Sequence, residues 1–146
     1  MQVDLLGLRA LVTGSTKGIG FAIALKLAAS GAAVAVNGRK AADVEAALGR
    51  IRAAVSNATP DAVAASPGVA AIIKAVGDVD ILVNNVGIFE IKDAFEIPDD
   101  DWQRMFETNV LSGVRLTRHY GPRMRDKGFG RIIFVSSESG VQLWNI

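Results

Sequence analysis

Thr13-Gly14-Ser15-Thr16-Lys17-Gly18-Ile19-Gly20 directly follows the apolar run Ala10-Leu11-Val12 and leads into a helical pattern. A strand that passes through glycines into a helix is typical of a phosphate-binding turn. Gly14 is expected to allow a sharp turn of the chain as it leaves the strand. Gly18 is expected to allow a pyrophosphate to approach the backbone closely, and Gly20 is expected to allow the helix to pack closely on the sheet. The free N–H groups and the dipole of the helix N-terminus would favour an anion. A glycine triplet alone is also compatible with a tight turn that binds nothing.

Strands and helices alternate along the rest of the chain. Strands are predicted at 9–13, 33–37, 62–65, 80–84 and 131–136, and helices at 21–30, 40–55, 67–77 and 100–125. This alternation predicts an α/β fold, a doubly wound parallel sheet of the Rossmann-like type. One domain is expected over 1–146, with the sheet truncated after the fifth strand because the sequence ends ten residues later.

Composition narrows the classes of function. Half of the 146 residues are hydrophobic and the mean hydropathy is +0.30, which fits a parallel sheet covered on both faces. A net charge of +1 gives no reason to expect nucleic acid or a membrane surface as a partner. The absence of cysteine and the presence of one histidine argue against a metal site. Met1-Gln2-Val3-Asp4 does not resemble the start of a signal peptide, so a cytoplasmic protein is expected.

Ligands of such a sheet bind beyond the carboxyl ends of its strands. After the second strand, NAD-binding domains usually place an acidic residue that bonds the ribose 2′-hydroxyl. This sequence has Asn37-Gly38-Arg39 there, and Lys17 lies in the glycine turn. A guanidinium offers a planar fork of donors to a 2′-phosphate, so the pair favours NADP(H) over NAD. Either cation alone is more often a solvated surface charge.

Three further polar sites follow strands or interrupt a helix. Asn84-Asn85-Val86-Gly87 follows the fourth strand, where it is either a ligand-lining loop or an Asn-rich turn. Asn109 stands in an apolar helical stretch, and if buried it needs partners, as a structural or a functional group. Ser137 follows the fifth strand and is either a turn residue or a donor to a substrate oxygen.

Together these residues resemble the short-chain dehydrogenase/reductase family. Thr13-Gly14-x-x-x-Gly18-x-Gly20 is similar to its cofactor motif, and Asn84-Asn85-Val86-Gly87 to its Asn-Asn-Ala-Gly motif with Val in place of Ala. Asn109 matches the helix asparagine of its catalytic tetrad, and Ser137 aligns with its catalytic serine. The resemblance covers essentially the whole chain, as the N-terminal half or more of a member.

The resemblance implies hydride transfer between NADP(H) and a carbonyl or secondary alcohol substrate. In the family a tyrosine protonates the carbonyl oxygen, and a lysine four residues later lowers the pKa of that phenol from about 10. The serine orients the carbonyl, and the asparagine holds a water of the proton relay. The implied catalytic residues are Ser137 and Asn109. The implied cofactor-binding residues are Gly14, Ser15, Thr16, Lys17, Gly18, Ile19, Gly20, Asn37, Arg39, Asn85, Val86 and Gly87.

The sequence departs from the family pattern in two places. Tyr120 is the only tyrosine and has Met124 four residues later, so the Tyr-x-x-x-Lys pair is absent from these residues. That pair is expected just beyond Ile146, and the 146-residue chain is expected to have negligible turnover. The aspartate that the family places after the third strand is also absent from Ala64-Ala65-Ser66-Pro67, so a different adenine contact or missing residues are expected there.

Two alternatives remain open at this point. A catalytically silent NADP-binding module would bind the coenzyme and reduce nothing, and a methyltransferase-like fold is a weaker alternative. The resemblance further implies a homodimer or homotetramer that pairs through the helix carrying Asn109.

Overall fold

The computed structural model describes residues 3–64, 68–93 and 95–137. Its strands are β1 (Arg9–Val12), β2 (Ala33–Gly38), β3 (Pro60–Ala64), β4 (Ile81–Asn84) and β5 (Arg131–Phe134). Its helices are α1 (Gly18–Ala29), α2 (Ala41–Ala54), α3 (Val69–Val76), α4 (Asp99–Phe106) and α5 (Ser112–Asp126). A π-helical turn, Glu107–Leu111, joins α4 to α5.

The strands form one sheet in the order β3-β2-β1-β4-β5, and all four pairings are parallel. This confirms the predicted doubly wound parallel sheet. The chain moves outward from β1 to β3, then returns to place β4 on the other side of β1. The carboxyl ends of β1 and β4 therefore flank the topological switch point, where ligands of such sheets bind.

The core has two layers because side chains on a strand alternate between its faces. Ala10 and Val12 of β1 pack with buried residues of α1 and α2. Leu11 packs with buried residues of α3 and α5, among them Tyr120. All three β1 side chains are completely buried. A strand that is covered on both faces needs apolar side chains on both. This explains why Ala10, Leu11 and Val12 form a continuous apolar run in which polar and apolar residues do not alternate.

Close packing of α1 on β1 depends on glycine. A Cβ on Gly20 would overlap the carbonyl oxygen of Gly14 and the side-chain nitrogen of Asn85. Gly14 itself has φ +61°, and a Cβ there would lie 3.3 Å from the Cα of Val86. The turn predicted at Gly14 is therefore confirmed, and Gly20 lets the helix approach the glycine turn and Asn85, where close packing on the sheet was predicted.

Several predicted boundaries were wrong. Helix α1 begins at Gly18, not at Phe21, because the end of the glycine turn already forms the first helical turn. Strand β3 runs over Pro60–Ala64 where 62–65 was predicted. Pro60 opens an edge strand, a position that tolerates the missing N–H of proline. The predicted strand end at Ala65 and helix start at Pro67 lie outside the described residues.

The helix predicted over 100–125 is not continuous. The π-helical turn interrupts it around Asn109, and apolar periodicity cannot distinguish such a turn from α-helix. Strand β5 ends at Phe134 where Ser136 was predicted. Trp102, Phe106 and Val110 lie exposed along α4 and the turn, and pairing of this face with a second copy stays a prediction. Among the described residues, no helix is long and apolar enough to cross a membrane.

Two helical glycines provide a matched test of the α1–β1 contact. Gly20→Ala is expected to destabilise the protein by about 1–3 kcal/mol, because the added methyl group meets backbone that cannot move aside. Gly49→Ala adds the same methyl group inside α2, where a Cβ would meet nothing within 4 Å, and is expected to stabilise by up to about 1 kcal/mol. Free energies of unfolding from urea titration measure both changes. Equal effects would contradict the close packing at Gly20.

Candidate functional site

The side chain of Thr13 joins the glycine turn to the end of β4. Its Oγ1 accepts hydrogen bonds from the N–H groups of Asn85 at 2.9 Å and Val86 at 3.0 Å, and donates to the carbonyl oxygen of Val83 at 3.4 Å. The Asn85 side chain in turn donates to the carbonyl oxygens of Thr13 at 2.9 Å and Gly14 at 3.0 Å. These bonds form the Thr13–Asn85 junction, which fixes the two strand ends that flank the switch point.

Ser15 and Asn37 fix the same turn to the end of β2. The Ser15 hydroxyl donates to the carbonyl oxygen of Val12 at 2.6 Å and accepts from the N–H of Asn37 at 2.9 Å. The Asn37 side chain accepts from the N–H of Gly14 at 3.2 Å. Ser15 is completely buried and Asn37 is 6% exposed. Both were expected among the cofactor ligands, but their side chains bond backbone inside the turn and shape it from within.

The first turn of α1 faces open space. A Cβ on Gly18 would meet nothing within 4 Å, and Gly18 has φ +58°. Lys17 at the N-cap makes no side-chain capping bond, and the first turn of the helix contains no acidic residue. Ile19 is 65% exposed. The backbone N–H groups of this turn are therefore accessible to an anion, as a phosphate-binding turn requires.

A cleft of about 360 Å³ lies beside this turn. The structure places the two predicted cations, Lys17 and Arg39, on it together. Its lining residues are Thr16, Lys17, Arg39, Lys40, Asp43 and Ala46. Among the described residues, none of its four charged side chains has an ion-pair partner within 4.0 Å. Three cations that lack an acidic partner form an electropositive pocket that suits a phosphate group.

Gly38, which stands where an acidic residue was sought, lies against the side chains of Thr16 and Val44. A Cβ at this position would overlap the side-chain methyl group of Thr16, and it would lie 3.1 Å from a methyl group of Val44. A carboxylate could not extend from this position unless the Thr16 side chain moved. With glycine here, the position does not supply the usual acidic partner of a ribose 2′-hydroxyl.

Asn109 holds the loop that follows β4. Its side-chain oxygen accepts from the N–H of Ile88 at 2.7 Å, and its side-chain nitrogen donates to the carbonyl oxygen of Ile88 at 3.0 Å. Asn109 is exposed, so it is not the buried asparagine that the apolar helical stretch suggested. It lies in the π-helical turn, a distortion that is frequent at functional sites. Its partner is the backbone one residue beyond Gly87.

Ser137 lies three residues beyond β5 and is exposed. The N–H of Val135 donates to the carbonyl oxygen of Asn84 at 2.9 Å, which extends the parallel pairing of β5 with β4 past the end of β5. Val86, which is 38% exposed, and Gly87 leave β4 at the same edge. The predicted site residues are thus brought to one end of the sheet.

Tyr120 is excluded from this site by its position. It is completely buried in the core layer formed by α3 and α5, and burial, followed by the negative charge of Asp78, raises the pKa of its hydroxyl. A phenol of this kind cannot serve as proton donor to a substrate at the carboxyl end of the sheet. This agrees with the sequence-based conclusion that Tyr120 does not replace the family tyrosine.

A group of four charged side chains near the site was missed from the sequence. Glu90 pairs with Lys92 at 3.2 Å and with Arg104 at 2.9 Å. Asp101 pairs with Arg104 at 3.0 Å and also with Lys92. This charge quartet ties the loop after β4 to the first turn of α4. Asp101 was interpreted only as part of a helix start, because its spacing from Arg104 on α4 was not considered and Lys92 lies in the preceding loop.

The quartet shifts the titration of its carboxylates. Hydrogen bonds from Arg104 and then from Lys92 lower the pKa of Glu90. Hydrogen bonds from Lys92 and then from Arg104 lower the pKa of Asp101. All four side chains are exposed to solvent to a substantial degree, so the contribution of each pair is small and sensitive to salt.

A wider depression of about 450 Å³ lies between the end of α5 and the start of β5. Arg125 and Arg131 line it, but Arg125 bonds Asp126 and Arg131 bonds the carbonyl oxygen of Gly130. It is at the amino end of the sheet, opposite the predicted site residues.

Comparison with known proteins places the chain in a protein family. Residues 9–145 match the family model described as short chain dehydrogenase. The uncharacterised oxidoreductase YvaG of Bacillus subtilis is 47% identical over 145 residues, which cover 97% of this chain and 55% of that protein. The chain therefore spans about half the length of this curated relative.

Solved structures agree with the sequence comparison. L-sorbose reductase from Gluconobacter frateurii, complexed with NADPH and L-sorbose, superposes with a TM-score of 0.90 at 33% identity and covers 99% of this chain and 58% of its own. A 7α-hydroxysteroid dehydrogenase complexed with NADH and 7-oxo glycochenodeoxycholic acid gives a TM-score of 0.86 at 30% identity, covering 98% and 58%. Similar folds thus hold either nicotinamide coenzyme.

The Thr13–Asn85 junction can be tested by removing one hydroxyl group. Thr13→Val keeps the shape of the side chain but leaves the N–H groups of Asn85 and Val86 without their acceptor, and is expected to destabilise by about 1–3 kcal/mol. Thr117→Val is the matched control, because its buried Oγ1 has no partner among the described residues. That variant is expected to be neutral or stabilising. Free energies of unfolding from urea titration measure both changes. A larger loss of stability in Thr117→Val than in Thr13→Val would contradict the role given to the Thr13–Asn85 junction.

The charge quartet predicts a specific acid sensitivity. Because the pKa values of Glu90 and Asp101 are lowered in the folded state, their stabilisation is complete above about pH 5 and is lost as the pH falls through the folded-state values. Glu90→Gln removes part of it, so the thermal midpoint should fall less between pH 7 and about pH 3 than in the unmodified protein. Glu45→Gln removes an exposed carboxylate outside the quartet and should leave the fall unchanged. Identical pH profiles for Glu90→Gln and the unmodified protein would argue against the quartet.

Proposed function

We propose, because this chain belongs to the short-chain dehydrogenase family, that it acts in hydride transfer between NADP(H) and a carbonyl compound or secondary alcohol. The observation that carries the coenzyme assignment is the cleft in which Lys17, Arg39 and Lys40 meet without an ion-pair partner among the described residues. The ribose 2′-phosphate is the group that distinguishes NADP from NAD, and it needs such a concentration of positive charge.

The residues at the switch point fit the rest of the coenzyme. The accessible N–H groups at the first turn of α1 would bond the pyrophosphate, and the missing side chain of Gly18 leaves room for it. Asn85 acts indirectly by holding the turn. Val86 and Gly87, at the end of β4, would border the ribose on the nicotinamide side.

The residues of this chain favour one coenzyme over the other. The sorbose reductase was solved with NADPH and the hydroxysteroid dehydrogenase with NADH, so the shared fold permits both. Gly38 supports NADP(H) here, since glycine places no carboxylate at the position where an acidic residue would bond a 2′-hydroxyl and repel a phosphate.

Two residues would serve the reacting end of the site. When bound, the coenzyme supplies or accepts the hydride. Ser137, exposed beyond β5, would donate to the substrate oxygen, and Asn109 would keep the loop after β4 in place through its two bonds to Ile88. The resemblance assigns proton transfer to a Tyr-x-x-x-Lys pair, which the 146 residues do not contain. We therefore expect these residues alone to bind the coenzyme and to give negligible turnover.

The coenzyme assignment is tested by binding. Arg39→Ala is expected to weaken NADPH binding roughly tenfold or more, because a charge-assisted hydrogen bond to phosphate is lost. NADH binding should change much less, since NADH has no 2′-phosphate. Arg52→Ala is the control: it removes the same type of side chain from an exposed position on α2 that does not line the cleft. Fluorescence titration of the unmodified protein and both variants with both coenzymes gives the six affinities.

The outcomes separate the alternatives. Loss of NADPH affinity in Arg39→Ala and not in Arg52→Ala supports the assignment, whereas equal affinities in all three proteins contradict it. Coenzyme binding without reduction of a carbonyl compound, even with Tyr-x-x-x-Lys present, would indicate a catalytically silent module. Robust NADPH-linked carbonyl reduction by the 146 residues alone would overturn the role given to that pair.

A further inference from the structure

The cleft that attracts a phosphate also contains one carboxylate, on Asp43. Asp43 lies in the first turn of α2 and is exposed. Asp43 and Ala46 are three residues apart on α2 and line the cleft together with Arg39, which precedes the helix. Val44, Ala47 and Leu48 of this helix are buried instead. The carboxylate therefore belongs to the face that a ligand in the cleft would meet.

Asp43 has two opposite effects on a nucleotide bound there. Its charge repels a 2′-phosphate and partly neutralises Lys17, Arg39 and Lys40, which lowers their attraction for the phosphate. A carboxylate is also a good acceptor for hydroxyl groups, so it can bond the ribose of a coenzyme that has a free 2′-hydroxyl. The usual position for an acid is occupied by Gly38, and the carboxylate that lines this cleft is that of Asp43.

We infer that Asp43 is a specificity-determining residue that reduces the preference of this site for NADP(H) and lets it also accept NAD(H). The inference rests on the proposed function, because it assumes that the cleft receives the adenosine ribose. Lys17, Arg39 and Lys40 set the preference for phosphate, and Asp43 limits it. Attraction of the cations for phosphate and repulsion by Asp43 oppose each other at this site. Replacing Asp43 by an uncharged residue should therefore shift the choice of coenzyme.

The test compares two substitutions on the same helix. Asp43→Asn removes the charge and keeps the size of the side chain. Glu45→Gln also removes one carboxylate, two residues further along α2, but Glu45 does not line the cleft. Dissociation constants of NADPH and NADH are measured for both variants and for the unmodified protein by fluorescence titration, and thermal unfolding checks that each variant is folded.

Asp43→Asn is expected to tighten NADPH binding roughly 3–10-fold, as expected for removal of one exposed like charge. It should weaken NADH binding roughly 2–5-fold through loss of a hydrogen bond. The tightening for NADPH should shrink at 1 M salt, where the screening length is about 3 Å, whereas the loss for NADH should persist. Glu45→Gln should change either constant by less than about twofold.

Each result decides for or against the inference. A rise in the NADPH-to-NADH preference in Asp43→Asn alone supports it. An unchanged ratio, or the same change in Glu45→Gln, overturns it even if the unmodified protein binds NADPH as proposed. Failure of the unmodified protein to bind either coenzyme would instead overturn the proposed function, and this inference with it.

Discussion

The Thr13–Asn85 junction is the constraint on which the site depends. Two parallel strands leave the sheet side by side at a switch point, and nothing in strand pairing controls the path of the chain beyond their ends. Thr13 and Asn85 supply that control, because each side chain bonds the backbone of the other segment. The Gly14 carbonyl oxygen and the Asn85 side-chain nitrogen that bonds it both occupy the space that a Cβ on Gly20 would need. The turn, the helix start and the loop after β4 therefore share one set of hydrogen bonds.

Glycine serves different physical purposes at each place in this site. Gly14 and Gly18 have φ near +60°, which side chains rarely adopt. Gly20 and Gly38 have ordinary backbone but lie against the turn and against Thr16. At Gly38 the absence of a side chain has a chemical consequence, since this position adds no acid to the cleft that Lys17, Arg39, Lys40 and Asp43 line. The proposed coenzyme preference would therefore depend on the shape of the turn as well as on charge.

The sequence alone was sufficient for the fold and the general location of the site. Continuous apolar runs and the glycine spacing predicted the parallel sheet, the turn and the meeting of Lys17 with Arg39, because these depend on local pattern and strand order. It was not sufficient to predict which way a polar side chain faces. Ser15 and Asn37 were assigned to the ligand and are buried in the turn, since a hydroxyl or amide near a phosphate motif suits either role. The π-helical turn at Asn109 was missed because apolar periodicity cannot distinguish it from α-helix. The charge quartet was missed because it joins α4 to a loop whose path the sequence pattern does not define.

The two ends of the site are held by separate means. The end proposed to hold the coenzyme is fixed by buried hydrogen bonds of Thr13 and Ser15, which water and salt disturb little. The loop after β4 is fixed by Asn109, which is exposed, and by the charge quartet, in which only Asp101 is partly buried, so water and salt reach these contacts. Because local stability follows burial and contact, we expect the loop to open at lower free energy than the turn. If the proposed function holds, the loop on the substrate side could then move while the buried hydrogen bonds keep the glycine turn in place.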